Sequence, residues 1–521
     1  MNQSILEKLL NYYHITEEDY KELTKPVSIS NFDDGHKFER VDEAVALVND
    51  VMKSNGKIVI YGDYDADGIM GTSILVKMFS YKDYIVDYYV PNRYQDGYGL
   101  TLKKAQEFIE NKYSLVICVD NGISAFEPIE LLKQNGIKVL VLDHHQPQEV
   151  LPVADVILHP QVSHFSEVAS SGAFVAFMFS ISFLGRFDKY LSTLAAISTI
   201  SDMMPLKEVN RNLLRLVFAN YKEGEFLPID LLKEADQFDE TSIGMKIAPK
   251  INAVGRLLDN SDINKMVEYF VSDSRDIVLH YIDWINENNE QRKTLSKEAI
   301  DNIPEELKNE AAIVYLTDCK EGVIGLIANY LSSSYHVPAI VFTKDSEGDS
   351  YKGSCRAPEG YNVVEIFNET KDLLVAGGGH AGAGGCTIKM SDFDAFKAKF
   401  VDIVKNTKIE HVKKETIPMN INEINIDNYN LIKTFSPFGE AWKAPLFELS
   451  RIPTKNLFFS RTGEHILTQI SLNTRLTGFN FPKSEVTEMN FVDLIGTLRT
   501  SVYRNITSTE FLIKEIKESA K

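Results

Sequence analysis

Three short apolar runs stand out in the first third of the chain: residues 57–61 (KIVIY), 115–119 (LVICV) and 139–142 (VLVL). Each is rich in β-branched residues and gives way to a polar loop, with room for a helix before the next run. That pattern predicts buried strands of a parallel sheet in an α/β domain. Residues 155–158 (DVIL) predict a further strand. Residues 172–184 (GAFVAFMFSISFL) are apolar throughout, but the stretch is short for a bilayer and runs into Gly185 and Arg186. A buried helix is expected there, not a membrane span. Residues 260–303 are polar and helix-compatible, which predicts a solvated connecting helix. The run 337–342 (VPAIVF) predicts a strand of a second, smaller α/β domain. Beyond about Glu410, residues 455–461, 465–472, 475–481 and 491–499 read as strands without a helical period, which predicts a small C-terminal β-barrel.

Composition narrows the class. The chain has 521 residues, 44% of them hydrophobic and 25% charged, as in ordinary globular proteins of several domains. Its four cysteines, Cys118, Cys319, Cys355 and Cys386, form no CxxC pair. A disulfide framework or structural zinc site is therefore not expected, and a reducing cytoplasm fits. The first twenty residues lack a basic stretch followed by an apolar core, so no signal peptide is expected. The formal net charge of −19 opposes tight, sequence-independent coating of duplex DNA. Local cations and a few arginines can reverse that sign in a cleft.

The chemistry lies in the residues at the end of each strand. The first run leads into Gly62-Asp63-Tyr64-Asp65-Ala66-Asp67-Gly68, the second ends at Asp120-Asn121-Gly122, and the third at Asp143-His144-His145. Open parallel sheets bind ligands beyond the carboxyl ends of their strands, so three strands deliver acids and imidazoles to one edge. A fourth acid, Asp202, comes after a small-residue stretch. An Asp after a strand is often only a helix N-cap, but four such segments together exceed what capping explains. Asp63, Asp65, Asp67 and Gly68 also mimic the start of a calcium loop, but Ile74 stands where that loop needs Glu. Carboxylates with imidazoles suit Mn²⁺ or Mg²⁺. Two such ions activate a water and stabilise the departing oxygen of a phosphoester. In the glycine-rich segment around His380, Gly378 and Gly379 permit backbone N–H groups to approach a phosphate. His380 is a further candidate for phosphate contact, with a flexible turn as the alternative.

In order and spacing, GDYDADG, VDNG, LDHH and the later Asp202 resemble the four motifs of the DHH phosphoesterases. The segments at 60–75, 91–100 (PNRYQDGYGL), 250–257 (KINAVGRL), 322–331 (GVIGLIANYL), 353–362 (GSCRAPEGYN) and 377–388 (GGGHAGAGGCTI) resemble RecJ-type exonucleases in particular. The resemblance covers roughly residues 40–450. It implies a DHH domain with an N-terminal extension at 1–258, a connecting helix at 259–304, a DHH-associated domain at 305–408 and an OB-like domain at 409–521. It implies metal ligation by Asp63, Asp65, Asp67, Asp120, His144 and Asp202, with Asp120 bridging two ions. His145 is implied to act on the scissile phosphate, and Asp143 to hold a histidine. Arg93, Arg256, Ser354 and Arg356 are implied to contact substrate phosphates, the last two at a terminal 5′-phosphate.

The implied activity is two-metal, 5′→3′ hydrolysis of single-stranded DNA to mononucleotides in DNA repair and recombination. The implied state is a cytoplasmic monomer without membrane contact, with single-stranded-DNA-binding protein and a helicase as partners. Two alternatives are an oligoribonuclease or small-nucleotide phosphatase of the same superfamily and a non-catalytic replication scaffold. The C-terminal β-region counts against the former and the intact acid set against the latter. The sequence departs from the pattern at Tyr61, Lys250, Cys319 and Lys320.

Overall fold

A computed structural model describes residues 4–32, 38–97, 99–165, 168–234, 237–257, 263–345, 348–408, 415–503 and 506–519. The chain forms two compact units. One comprises residues 32–204 and 217–412; the other comprises residues 1–31, 205–216 and 413–521.

The larger unit holds two sheets. The first is wholly parallel, with β1 (Ile58–Tyr61), β2 (Asp87–Tyr89), β3 (Leu115–Val119), β4 (Lys138–Leu142) and β5 (Val156–Leu158) in the order β2-β1-β3-β4-β5. All four expected strands are present, and β2 is an additional edge strand too short and polar to show as an apolar run. The helix Gly172–Leu184 occupies the expected residues. Ser171 caps its start, and Gly185, at φ 69°, ends it. It is apolar on every side and buried nearly throughout because it packs on the helix Ala66–Ser80, which also packs on Lys189–Ser201.

The expected solvated connector is corrected. It begins within the undescribed residues 258–262, then forms two helices, Asn264–Val271 and Arg275–Asp301. The longer one, about 40 Å at 1.5 Å per residue, buries Val278, Ile282 and Ile285 at helical spacing. One of its faces therefore belongs to the core, although its composition is polar.

The second sheet contains β6 (Ile313–Leu316), β7 (Ala339–Lys344), β8 (Ser350–Arg356), β9 (Leu374–His380) and β10 (Ala383–Lys389), ordered β6-β7-β8-β10-β9. The glycine-rich segment is a strand pair, not a loose turn: Gly378 faces Gly385 and Gly379 faces Gly384 across β9 and β10.

The smaller unit is built on six strands: β11 (Ile417–Pro418), β12 (Phe447–Pro453), β13 (Ile466–Ser471), β14 (Thr474–Gly478), β15 (Phe491–Tyr503) and β16 (Ile506–Glu518). Their order is β11-β12-β15-β16-β14-β13. Residues 455–461 are not a strand. A short 3₁₀ turn at Thr454–Asn456 opens the segment, and Phe459 makes only an isolated bridge to Ile466. The described residues 4–31, expected within an extension of the first domain, pack instead with this unit. Ile5, Leu9 and Leu10 from the helix Ile5–Tyr12 share a core with Phe435, Phe447 and Phe511.

Candidate metal centre and phosphate cleft

The acids meet because the strands of the parallel sheet end level with one another. Asp65 N-caps the helix Ala66–Ser80, accepting from the Asp67 and Gly68 amides at 2.9 and 3.1 Å. Asp67 lies in the first turn of that helix and is buried. Its Oδ2 accepts from Gly172 N at 2.7 Å, and its Oδ1 from Ala173 N at 2.7 Å and Ser198 Oγ at 2.5 Å. The positive N-terminus of the helix Gly172–Leu184 thus receives and orients this carboxylate. Asp120 comes just after β3 in a left-handed conformation, φ 60°. Asn121 beside it donates to the Tyr61 and Gly62 carbonyls at 3.2 and 3.0 Å, joining the second motif to the first.

His144 stands at the centre. Its Nε2 lies 3.1 Å from Asp120 Oδ1, 3.4 Å from Asp67 Oδ2 and 3.6 Å from Asp202 Oδ2. Ligand atoms of Asp63, Asp65 and Asp120 also lie within 4.8 Å of one another. Asp120 Oδ1 and Asp202 Oδ2 are buried and accept no hydrogen bond from any described residue. Burial and mutual repulsion push these carboxyls up. Asp63 rises to about 8 through burial and Asp65, and Asp202 to about 9 through burial, Asp67 and Asp65. Asp65 and Asp120 also rise, and burial lowers His144. Crowded acids with orphaned oxygens and a central neutral imidazole fit a site for hard divalent cations.

Asp143 lies behind this cluster. Its Oδ2 accepts from Ile123 N at 2.9 Å, and its Oδ1 lies 2.8 Å from His145 Nδ1. Burial opposes both charges, but the hydrogen bond and attraction between them win. His145 is raised to about 9, and Asp143 is held below the usual carboxylate range.

A cleft of about 880 Å³ is lined by Arg93, Arg256, Ser354, Arg356 and Gly378. The guanidinium of Arg93 stacks on the Tyr64 ring at 4.3 Å. Arg356 donates to Ser354 Oγ at 3.2 Å and to the Cys355 carbonyl at 2.7 Å. Burial, followed by repulsion from Arg93, Arg292 and Arg356, pushes Arg256 down to about 10. Gly379 and His380 are exposed and do not line this cleft.

Residues 57–201 match the DHH family N-terminal domain, 308–406 the DHHA1 domain and 417–515 the RecJ OB domain. The single-stranded-DNA-specific exonuclease RecJ of Haemophilus influenzae is 31% identical over 487 residues, covering 86% of this chain and 83% of that protein. The chain belongs to the RecJ family. The Bacillus subtilis RecJ is 29% identical over 93% of this chain, which spans 64% of the Bacillus protein's length. The Mn²⁺-complexed RecJ of Thermus thermophilus shares the fold, with a TM-score of 0.81 at 24% identity over 94% of this chain and 74% of that one.

Within this RecJ-family site several supporting residues escaped the sequence reading. Ser198 and the Gly172–Ala173 amides hold Asp67, yet only Ser171 ahead of an apolar run signals that a helix begins there. His159 is buried just after β5. Its Nδ1 faces the amides of Gln161 and Val162, at 3.2 and 3.4 Å, so its Nε2 must carry the proton directed at the His145 carbonyl, 2.8 Å away. The departures from the RecJ pattern are structural. Tyr61 is buried and donates to the Gly99 carbonyl at 2.9 Å, and Lys250 reaches the Leu232 carbonyl at 3.1 Å and Glu234 at 2.7 Å. Lys320 donates to the Leu257 carbonyl at 3.0 Å. Among the described residues no helix is long and apolar enough to cross a membrane.

Proposed function

We infer that this protein is a metal-dependent exonuclease that degrades single-stranded DNA from its 5′ end. The observation that carries the reading is the convergence on His144 Nε2 of three acids from separate motifs, Asp67, Asp120 and Asp202. Asp63, Asp65, Asp67, Asp120, His144 and Asp202 would hold two divalent cations, Mn²⁺ or Mg²⁺. When bound, such ions lower the pKa of a coordinated water and clamp the attacking and leaving oxygens of a phosphoester.

The protein's own groups do the rest. The helix N-terminus and Ser198 fix Asp67, so its charge needs no reorganisation during the reaction. His145 is kept as an imidazolium by Asp143 and supplies a charged donor for the scissile phosphate. Ser354 and Arg356 would receive the terminal 5′-phosphate, with Arg93 and Arg256, which line the same cleft, supplying further positive charge in a chain of net negative charge. Arginine's planar fork suits that contact. DNA repair and recombination follow as the setting in which single strands must be trimmed. Named relatives acting on single-stranded DNA and the matching OB domain support a polymer substrate over a dinucleotide.

The test compares linear and circular single-stranded DNA in Mn²⁺. The linear strand should be consumed to mononucleotides and the circle spared. Cleavage of the circle at the linear rate would mean an endonuclease, and faster turnover of an RNA dinucleotide would favour an oligoribonuclease. Arg356→Ala should erase most of the preference for a 5′-phosphate over a 5′-hydroxyl. Loss of one charged hydrogen bond is worth about 1.5–3 kcal/mol, or about 10- to 150-fold.

A further inference from the structure

The arginines of the cleft come from different segments, and one side chain ties those segments together. The Tyr94 hydroxyl donates to the Arg256 carbonyl at 2.6 Å and accepts from Gly322 N at 3.1 Å. The Gly322 amide is one of the first in its helix, Glu321–Tyr335, and the Arg256 carbonyl lies in the last described turn of its own, Ala248–Leu257. The first amides of a helix have no internal partner. A phenol both donates and accepts, so one hydroxyl joins a carbonyl of one helix to the first turn of another.

The packing admits little slack. A Cβ on Gly322 would lie 2.1 Å from the Arg256 carbonyl oxygen, so the second helix meets the first through a bare backbone. Lys320 reaches the Leu257 carbonyl at 3.0 Å and reinforces the same junction. On the other side, Tyr94 adjoins Arg93, whose guanidinium is seated on Tyr64. Gly322 and Gly325 line the cleft together with Ser354 and Arg356. The Tyr94 hydroxyl therefore links the segments that carry Arg93 and Arg256 to the helix that lines the cleft beside Ser354 and Arg356.

We propose that Tyr94 is a positioning residue for recognition of the terminal phosphate, acting through the Arg256 and Gly322 backbones without touching the substrate. This rests on the reading of the cleft as the 5′-phosphate site. Tyr94→Phe removes one oxygen and keeps the ring. It removes the oxygen that joins the Arg256 carbonyl to the Gly322 amide, so the two helices lose that tie.

The experiment measures KM and kcat of the full-length protein in Mn²⁺ on single strands ending in 5′-phosphate or 5′-hydroxyl. Tyr94→Phe should raise KM for the phosphorylated strand about tenfold while kcat holds and KM for the hydroxyl strand hardly moves. Gly322→Ala, which forces the same helices apart by another route, should reproduce that loss of discrimination. A role limited to stability would lower the melting temperature and affect both substrates alike. A wild type that discriminates beside a Tyr94→Phe variant that discriminates equally overturns the proposal alone. A wild type indifferent to the end overturns the reading of the cleft and the proposal with it.

Discussion

Gly172→Ala adds one methyl group about which the structure is specific. The new Cβ would lie 2.7 Å from Asp120 Cβ, 2.8 Å from its Cα and 3.0 Å from its Oδ1. Carbon atoms pack best at about 3.5–4.0 Å, so something must retreat by about 0.8 Å. Asp120 has little freedom to do so. Its amide donates to the Leu142 carbonyl at 2.9 Å, and its backbone already occupies a left-handed conformation. If the helix start moves instead, the Gly172 and Ala173 amides leave Asp67. Either way a proposed ligand shifts, and a misplacement near 1 Å costs about 10²-fold in rate. Overpacking of this kind also costs about 1–3 kcal/mol of stability, so circular dichroism and thermal melting should accompany the assay. Gly244→Ala is the control, because its Cβ would meet only Ile200 Cγ2, at 3.9 Å. Release of acid-soluble nucleotide from end-labelled single strands in Mn²⁺ gives the rate. A folded Gly172→Ala protein working as fast as Gly244→Ala would refute the placement of Asp120 at the reacting centre.

Other outcomes rest on the same geometry. Asp120→Ala should abolish cleavage at saturating Mn²⁺ while the melting curve stays cooperative, whereas Asp143→Ala should retain measurable turnover; the reverse ranking would exchange their roles. At pH 7 the metal-free protein should carry protons on Asp63 and Asp202, whose values lie near 8 and 9. Mn²⁺ binding should therefore release protons at pH 7 and fewer as the pH rises past 9. Calorimetric titrations in two buffers of different ionisation enthalpy measure this, and identical heats in both would contradict it. In the smaller unit, Glu510 accepts two bonds from Arg499, at 2.9 and 2.8 Å, and one from Ser501 at 2.6 Å. Burial opposes its charge, but these partners hold its carboxyl below the ordinary value. Its stabilising contribution is thus present above the unfolded carboxylate range and fades as the pH falls through the folded value. Glu510→Gln should cost about 1–3 kcal/mol at pH 7, with the gap to wild type narrowing in acid; a constant gap would show that the charge is irrelevant.

The parallel sheet was readable because burial on both faces forces continuous apolar runs, and each run here ends at its acid. The short edge strand β2 escapes that rule: Asp87–Tyr89 are exposed or half-buried and carry no apolar signature, whereas the other edge strand, β5, is buried and was readable. The long connecting helix misled for a related reason. Val278, Ile282 and Ile285 form a narrow stripe that a mostly polar composition hides. In the C-terminal region, alternation placed β13, β14 and β15 to within a few residues. It failed at residues 455–461, whose aromatics look strand-like while a 3₁₀ turn governs the start of the segment. At the site, the acids were visible as types at fixed spacings, but their supports were not. Ser198 meets the Asp67 carboxylate, and His159 and Tyr94 meet backbone groups, in each case across a gap in sequence that no local pattern reveals.

Tyr64 stands between two of the acids, Asp63 and Asp65, and its ring is the shelf on which Arg93 lies. On the proposed roles of these residues, cation and DNA would share a mechanical part. If an ion settling among those acids steadies the shelf and improves the hold on a phosphate by some factor, thermodynamic reciprocity requires the phosphate to improve the hold on the ion by the same factor. Metal affinity then belongs to the protein and its strand jointly. Where free metal is scarce, an arriving DNA end would then help to recruit the ions of the proposed reaction.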